Sequence, residues 1–313
     1  MTSFRAAVSV LILAFATCAG AAAPLSKATP PGFYRMMVGD FEVTAISDGT
    51  VDLPMDQLML GTTKEKVDAA ANKAFLGMPV ETSVNGYLVN TGTKLVLVDT
   101  GAGPLFGPTL GKLLANLKAA GYQPEQVDEI YITHMHPDHV GGLATDGKLN
   151  FPNAIVRADK HDADYWLSKE NLEKADKGSK GFFQGAQSML DPYVKAGKFK
   201  AIEGNTELVP GIKSQASYGH TAGHTTYIVE SKGQKLVLWG DIMHLAAMQF
   251  ADPSLTIKFD TDAKSAAAER KKAYADAAKG GYWVAGAHLQ FPGIGHLVAA
   301  GKGYTFVPAN YLR

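Results

Sequence analysis

The sequence predicts an α/β sandwich, two packed β-sheets with helices outside, and three observations carry that expectation. Hairpin-like pairs of apolar runs and helix-like stripes follow one another in similar order in both halves of the chain. No linker, charge block or repeat of roughly 20 to 50 residues interrupts them. Of the 313 residues 46% are apolar and 33 are glycine, which suits a large core threaded by tight turns.

Residues 1–21 are set aside before the elements are read. Arg5 precedes the apolar run Ala6 to Ala16, and Ala19, Gly20 and Ala21 supply a small-residue cleavage site, the pattern of a secretory signal peptide. That run is shorter than the roughly 20 residues needed to cross a bilayer, and no later run reaches that length. A lipoprotein acylated at Cys18 is the other reading, which Phe15 and Thr17 fit poorly. The expectation is one mature domain, residues 22–313, exported to the periplasm or secreted. Cys18 is the only cysteine, so the mature chain has no thiol. Disulfides, thiolate nucleophiles and cysteine-ligated zinc are thereby excluded, and any metal site is built from nitrogen and oxygen. Lys and Arg number 30 against 30 Asp and Glu, a balance that argues against a nucleic-acid partner.

After a flexible lead-in to about residue 32, Phe41 to Ile46 reads as a strand turning at Ser47-Asp48-Gly49. Tyr87 to Val89 and Lys94 to Val98 read as hairpin arms around Thr91-Gly92. Leu110, Leu113, Leu114 and Leu117 form a core-facing helical stripe closed by Gly121. Val127 to Thr133 is a short strand running into His134. Thr225 to Glu230 and Lys235 to Trp239 form a second hairpin around Lys232-Gly233. Asp262 to Lys279 reads as a helix capped by Asp260 or Thr261 and stopped by Gly280, with Arg270, Lys271 and Lys272 on a solvated face. Tyr282 to Ala285 is read as the last buried strand.

Chemistry concentrates in Thr133-His134-Met135-His136-Pro137-Asp138-His139, with four potential metal ligands in six residues at a strand end. In extended chain His134 and His136 share a side, and Pro137 forces the turn that swings Asp138 and His139 inward. Gly141 and Gly142 allow close backbone packing beside them. Further ligands are offered by Gly219-His220-Thr221-Ala222-Gly223-His224, Trp239-Gly240-Asp241 and Gly286-Ala287-His288. Each is weak alone and strong in this order behind the histidine cluster.

With Gly39-Asp40-Phe41-Glu42, the run from Gly86 to Gly92 and Phe291-Pro292-Gly293-Ile294-Gly295-His296, the chain resembles the metallo-β-lactamase superfamily. In particular it resembles the methyl parathion hydrolases and the exported dihydrocoumarin-type lactonases related to them. The resemblance implies an αββα fold of two mixed sheets flanked by helices. It implies that His134, His136 and His220 hold one divalent metal, that Asp138, His139 and His288 hold a second, and that Asp241 bridges them. Zinc is the first expectation for such donors, with manganese, iron or cobalt compatible. His224 is read as orienting the turn around His220, with direct ligation as the other option, and Asp99 as a hydrogen-bond acceptor for a ligand histidine. His296 reads as structural and His161 as exposed.

The same resemblance places Phe106, Trp166 and Phe182 in an aromatic pocket wall, each of which also reads as ordinary core. Leu58, His244, Ile257 and Phe259 stand where the methyl parathion hydrolases carry arginine, leucine, threonine and leucine, and the larger side chains at the last two positions are expected to narrow the pocket. The expected reaction is hydrolysis of lactones and aryl esters, with a hydroxide bridging two zinc ions as nucleophile. Asp241 and Asp138 are the catalytic carboxylates, and Asp138 orients the hydroxide or takes its proton. The alternative is organophosphate triester hydrolysis at the same centre. An iron-dependent sulfur dioxygenase or diiron oxygen reductase, and a metal protein without turnover, are the readings from other classes. The expected partner is a small lactone, ester or phosphotriester, with no membrane span, and a homodimer is carried as an expectation.

Overall fold

Two seven-stranded sheets carry the structure, a computed structural model that describes Ala23, residues 25–27 and residues 30–311. The signal-peptide reading of residues 1–21 lies outside these residues. In the first sheet the strand order is Phe33–Val38, Phe41–Leu53, Val80–Asn90, Leu95–Val98, Glu129–Tyr131, Ile155–Asp159 and Phe199–Ile202. Its first three joins are antiparallel and its last three parallel. The second sheet runs Glu207–Val209, Ile212–Ala216, Thr225–Ser231, Gln234–Leu238, Trp283–Ala285, Ile294–Ala300 and Gly303–Pro308. It is antiparallel except where Gln234–Leu238 meets Trp283–Ala285. The expected mixed sheets are therefore present.

Strand alternation explains the layering. Val96 and Val98 pack in the core shared by both sheets, while Leu95 and Leu97 face the helices outside the first sheet. Leu236 and Leu238 enter the shared core likewise, and Val237 faces the helix Ala263–Gly280 outside the second sheet. Both predicted hairpins form in the predicted register of turns, at Thr91-Gly92 and Lys232-Gly233. No helix among the described residues is long and apolar enough to cross a membrane.

Four expectations shift, each for a local reason. The leucine-striped helix begins at Leu113, because the buried Asp48 carboxylate accepts the N–H groups of Ala102, Gly111 and Leu113 and holds the preceding turn. Leu110 consequently packs with Val84 and Ala102 instead of joining the helical stripe. The strand before the histidine cluster is only Glu129–Tyr131, since the N–H of Thr133 is taken by Asp99. Helix Ala263–Gly280 is capped by Asp262 and ended by left-handed Gly281, and Arg270 on it is fully buried, not solvated. Finally, Ile294–Ala300 and Gly303–Pro308 follow the strand that was read as last.

Candidate metal centre

The chain leaves the first sheet at two neighbouring strand ends, and side chains there lock the histidine cluster. Asp99, at φ 60, turns its carboxylate to accept both the backbone N–H and the hydroxyl of Thr133, each at 2.8 Å. It also accepts from His139 Nδ1 at 2.8 Å, which leaves Nε2 free to face the site. Pro137 opens a one-turn helix, Pro137–Val140, that brings Asp138 and His139 round as expected. Any Cβ on Gly141 would lie 2.0 Å from the Ala102 carbonyl oxygen, so only glycine lets the two segments close.

A second carboxylate ties this segment to the other sheet. Asp162, fully buried, accepts the N–H of Met135 at 2.8 Å and of Gly223 at 2.6 Å. The loop carrying His220 is thus fastened to the middle of the histidine cluster. His220 Nδ1 donates to Asp260 Oδ1 at 2.8 Å, and His288 Nδ1 donates to the Ser83 carbonyl at 3.0 Å. His224 uses Nε2 to accept the backbone N–H of Asp241, and its Nδ1 meets Ser217 Oγ at 2.8 Å. With both nitrogens engaged, it positions Asp241 and is no metal donor. Sequence reasoning missed Asp162 altogether and gave Asp260 only a capping role. His296 stacks on Trp283, and His161 is exposed beside Asp159.

The seven residues singled out in the sequence converge. Donor atoms of His134, His136, His220 and Asp241 all lie within 4.8 Å of one another, as do those of Asp138, His139 and His288. Asp241 joins the sets: Oδ2 is 3.2 Å from His220 Nε2 and 3.1 Å from His288 Nε2, and Oδ1 is 3.2 Å from His139 Nε2. His220 Nε2 also stands 3.2 Å from His134 Nε2 and 3.1 Å from His136 Nδ1. Buried nitrogens crowded in this way repel unless a cation or proton lies between them. His139 Nε2 and Asp241 Oδ1 are buried and face each other outside good hydrogen-bond geometry, with no other hydrogen-bond partner among the described residues. The donor set is neutral imidazole plus carboxylate, so the residues fit two divalent metal ions.

The protein groups alone polarise one another strongly. Burial, with the neighbouring imidazoles, holds His134 and His136 well below the ordinary histidine value, ready as neutral donors. Burial also pushes His220 down, but hydrogen bonds to Asp241 and Asp260 outweigh it and lift it to about 9. His139 rises well above its ordinary value, since Asp241, Asp138 and Asp99 together overcome burial. Burial pushes Asp241 up, yet the ring of imidazoles keeps it ionised far below the carboxylate range.

Residues 79–279 match the metallo-beta-lactamase superfamily. The chain belongs to this superfamily. The match includes six of the seven converging residues and ends before His288. The structure is similar to hydrolase AbOPH of the beta lactamase superfamily, with a TM-score of 0.86 and 38% identity, covering 91% of this chain and 100% of that one. It is also similar to AidC, a dizinc quorum-quenching lactonase in complex with a product, N-hexanoyl-L-homoserine, at a TM-score of 0.83 and 27% identity, covering 90% and 99%. Among curated relatives, an N-acyl homoserine lactonase of Bacillus cereus is 27% identical over 205 residues, 59% of this chain and 74% of the relative. Another from Bacillus sp is 30% identical over 171 residues, 49% and 60% of the two chains. By family and donor set, the chain is a metal-dependent hydrolase.

Beside the converging donors lies a largely apolar chamber of about 260 Å³. Phe106, Phe182 and Phe259 form its aromatic wall, and Val51 and Leu53 complete the apolar lining. His136, Asp138, Asp241, His244 and His288 make the polar part of its lining. Three residues assigned to this wall lie elsewhere. Leu58 and Ile257 pack in a separate apolar cluster around Met55 and Val67, and Trp166 is buried against His136 and Phe183. Val51 and Leu53 went unnoticed because a strand residue facing a cavity reads like one facing the core. Burial pushes His244 down to about 4, so this imidazole is neutral. A larger groove of about 570 Å³ adjoins the chamber and shares His244 and His288 with it.

Proposed function

We propose that this protein hydrolyses lactones and aryl esters of the dihydrocoumarin type at a pair of divalent ions, zinc by donor preference. The observation that carries the reading is seven converging donors, of which His136, Asp138, Asp241 and His288 line a 260 Å³ aromatic-walled chamber. A flat bicyclic lactone suits such a chamber, where ring faces and edges meet the substrate and water is excluded. The lactonase relatives support cleavage of a cyclic ester. They do not carry the preference for an aryl leaving group, which rests on the chamber.

His134, His136 and His220 would hold one ion, Asp138, His139 and His288 the other, and Asp241 both. Two such ions supply Lewis acidity and bring water's pKa toward neutrality. The chain's own part is positioning. Asp99, Asp260 and the Ser83 carbonyl fix which nitrogen of His139, His220 and His288 faces inward. Asp138, with 18% of its side chain exposed, lines the chamber with Oδ2 3.5 Å from His288 Nε2 and 3.6 Å from His139 Nε2. Its carboxylate is placed to take the proton of the attacking water and return it to the leaving oxygen. A phenolate needs little of that help, so aryl lactones fit a site with one modest acid. Phe182 and Phe259, tilted against each other with ring centroids 6.4 Å apart, offer the flat portion of the substrate a continuous aromatic surface.

The test is a panel on zinc-loaded protein: dihydrocoumarin, an N-acyl homoserine lactone, phenyl acetate and methyl parathion. The expected order of kcat/KM places dihydrocoumarin first. If methyl parathion is hydrolysed faster than dihydrocoumarin, the phosphotriesterase reading replaces this one. Asp241→Ala should lose metal and activity together, and a variant keeping both ions and full turnover overturns the bridging assignment. On its sequence pattern alone, residues 1–21 are read as a cleaved export signal. Intact mass of protein recovered from the periplasm or medium decides that.

A further inference from the structure

We propose that His244 is an eighth metal donor: with Asp241 and His288 it forms a third donor set that gives one ion an alternative position. The proposal rests on the dinuclear reading above and adds to it a ligand outside the seven.

Three observations carry it. First, donor atoms of Asp241, His244 and His288 lie within 4.8 Å of one another, and His244 Nε2 is 3.1 Å from Asp241 Oδ2. Its ring stacks on that of His288 with centroids 5.1 Å apart, so both imidazoles address the same carboxylate oxygen. Second, His244 is 4% exposed, its Nδ1 has no hydrogen-bond partner among the described residues, and its Nε2 meets Asp241 Oδ2 at 3.1 Å outside good hydrogen-bond geometry. A buried imidazole paired so incompletely is costly, and a leucine would fill the same space without that cost. Third, the backbone on either side is held by two fully buried polar side chains. Gln249 Oε1 accepts the N–H groups of His244 and Leu245, and Arg270 donates to the carbonyls of Ile242 and Leu255. The ring is therefore delivered to this place by a built support.

The set is also a weaker one than the other two, which is why it is assigned an alternative position. His139, His220 and His288 each have the far nitrogen anchored, whereas His244 Nδ1 is not, so its tautomer is unfixed. Because His244 and His288 also face the 570 Å³ groove, an ion can reach this set from a side other than the chamber.

The experiment is chelator competition with Zn2+ on full-length protein, for the wild type and His244→Phe, which keeps a stacked ring and removes both donors. The expected result is two ions per chain in both, the weaker dissociation constant raised about 10- to 100-fold in the variant and the tighter one unchanged. His244→Leu must reproduce the loss if the phenylalanine variant is misfolded by circular dichroism. Loading with Co2+ gives an independent readout, because loss of a nitrogen donor shifts the visible absorption bands. Unchanged metal constants and cobalt spectrum, with activity alone reduced, would confine His244 to substrate contact and overturn the proposal. Fewer than two ions on the wild type would overturn the dinuclear reading, and this inference with it.

Discussion

Asp260 does for His220 what Asp99 does for His139: each carboxylate accepts a hydrogen bond from the far nitrogen and aims the near one at the site. Asp260→Asn keeps the shape and weakens the acceptor, so zinc affinity should fall about 10- to 100-fold, read by equilibrium dialysis. Asp162 acts differently, since its partners are the backbone N–H groups of Met135 and Gly223. Burial raises its carboxyl from 3.8 to about 6 despite those bonds. Between about pH 4 and 6 the folded chain therefore holds a proton there that the unfolded chain has released. This group's contribution accordingly makes stability fall as pH rises through that window. Asp162→Asn should remove that fall, and urea melts of metal-free protein at pH 4.5 and 6.5 check it. An unchanged difference between the two pH values would mean Asp162 is already ionised in the fold.

At the scale of elements, helix Ala263–Gly280 does more than cover the second sheet. Its Arg270 donates to the Ile242 and Leu255 carbonyls and lies 3.8 Å from Asp260, joining the Asp241 loop, the Phe259 segment and the helix. Arg270→Leu leaves those carbonyls and Asp260 without their buried cation, and the expected loss is roughly 3–5 kcal/mol in urea unfolding. The neighbouring Lys271 is exposed, and Lys271→Ala should stay within about 0.5 kcal/mol. Equal effects of the two substitutions would contradict the buried role of Arg270.

Across the molecule, the metal centre is a junction between sheets. His134, His136, Asp138 and His139 come from the end of the first sheet, whereas His220, Asp241 and His288 come from loops of the second. Ions held by both groups bind the folded chain and not the unfolded one, so Tm should climb with free zinc and fall on chelation. A Tm independent of zinc would place the ions outside this junction. On the proposed reading the chamber sets selectivity on the same scale, because attack at carbon and at phosphorus would draw on the same metal donors. Phe259→Leu opens one wall and should raise kcat/KM for methyl parathion about tenfold while lowering it for dihydrocoumarin. Parallel changes for both substrates would mean that the wall does not discriminate.

The residues 134–139 announced a metal site because four donors at strand-end spacing are a local pattern, readable without knowing what lies across the cleft. Hairpin turns and the sandwich class were equally readable, since alternation and turn chemistry are local too. His220, Asp241 and His288 gained meaning through family resemblance, each being one polar residue after a strand. Other features depended on packing between distant segments. Arg270 looked solvated because helical spacing says nothing about two carbonyls and a carboxylate waiting beneath it. Leu58, Trp166 and Ile257 were placed in the pocket because an apolar side chain is chemically the same whether it faces a cavity or a core. Which face it takes depends on the relative placement of sheets and helices, and that is a sum of many long-range contacts no short window of sequence contains.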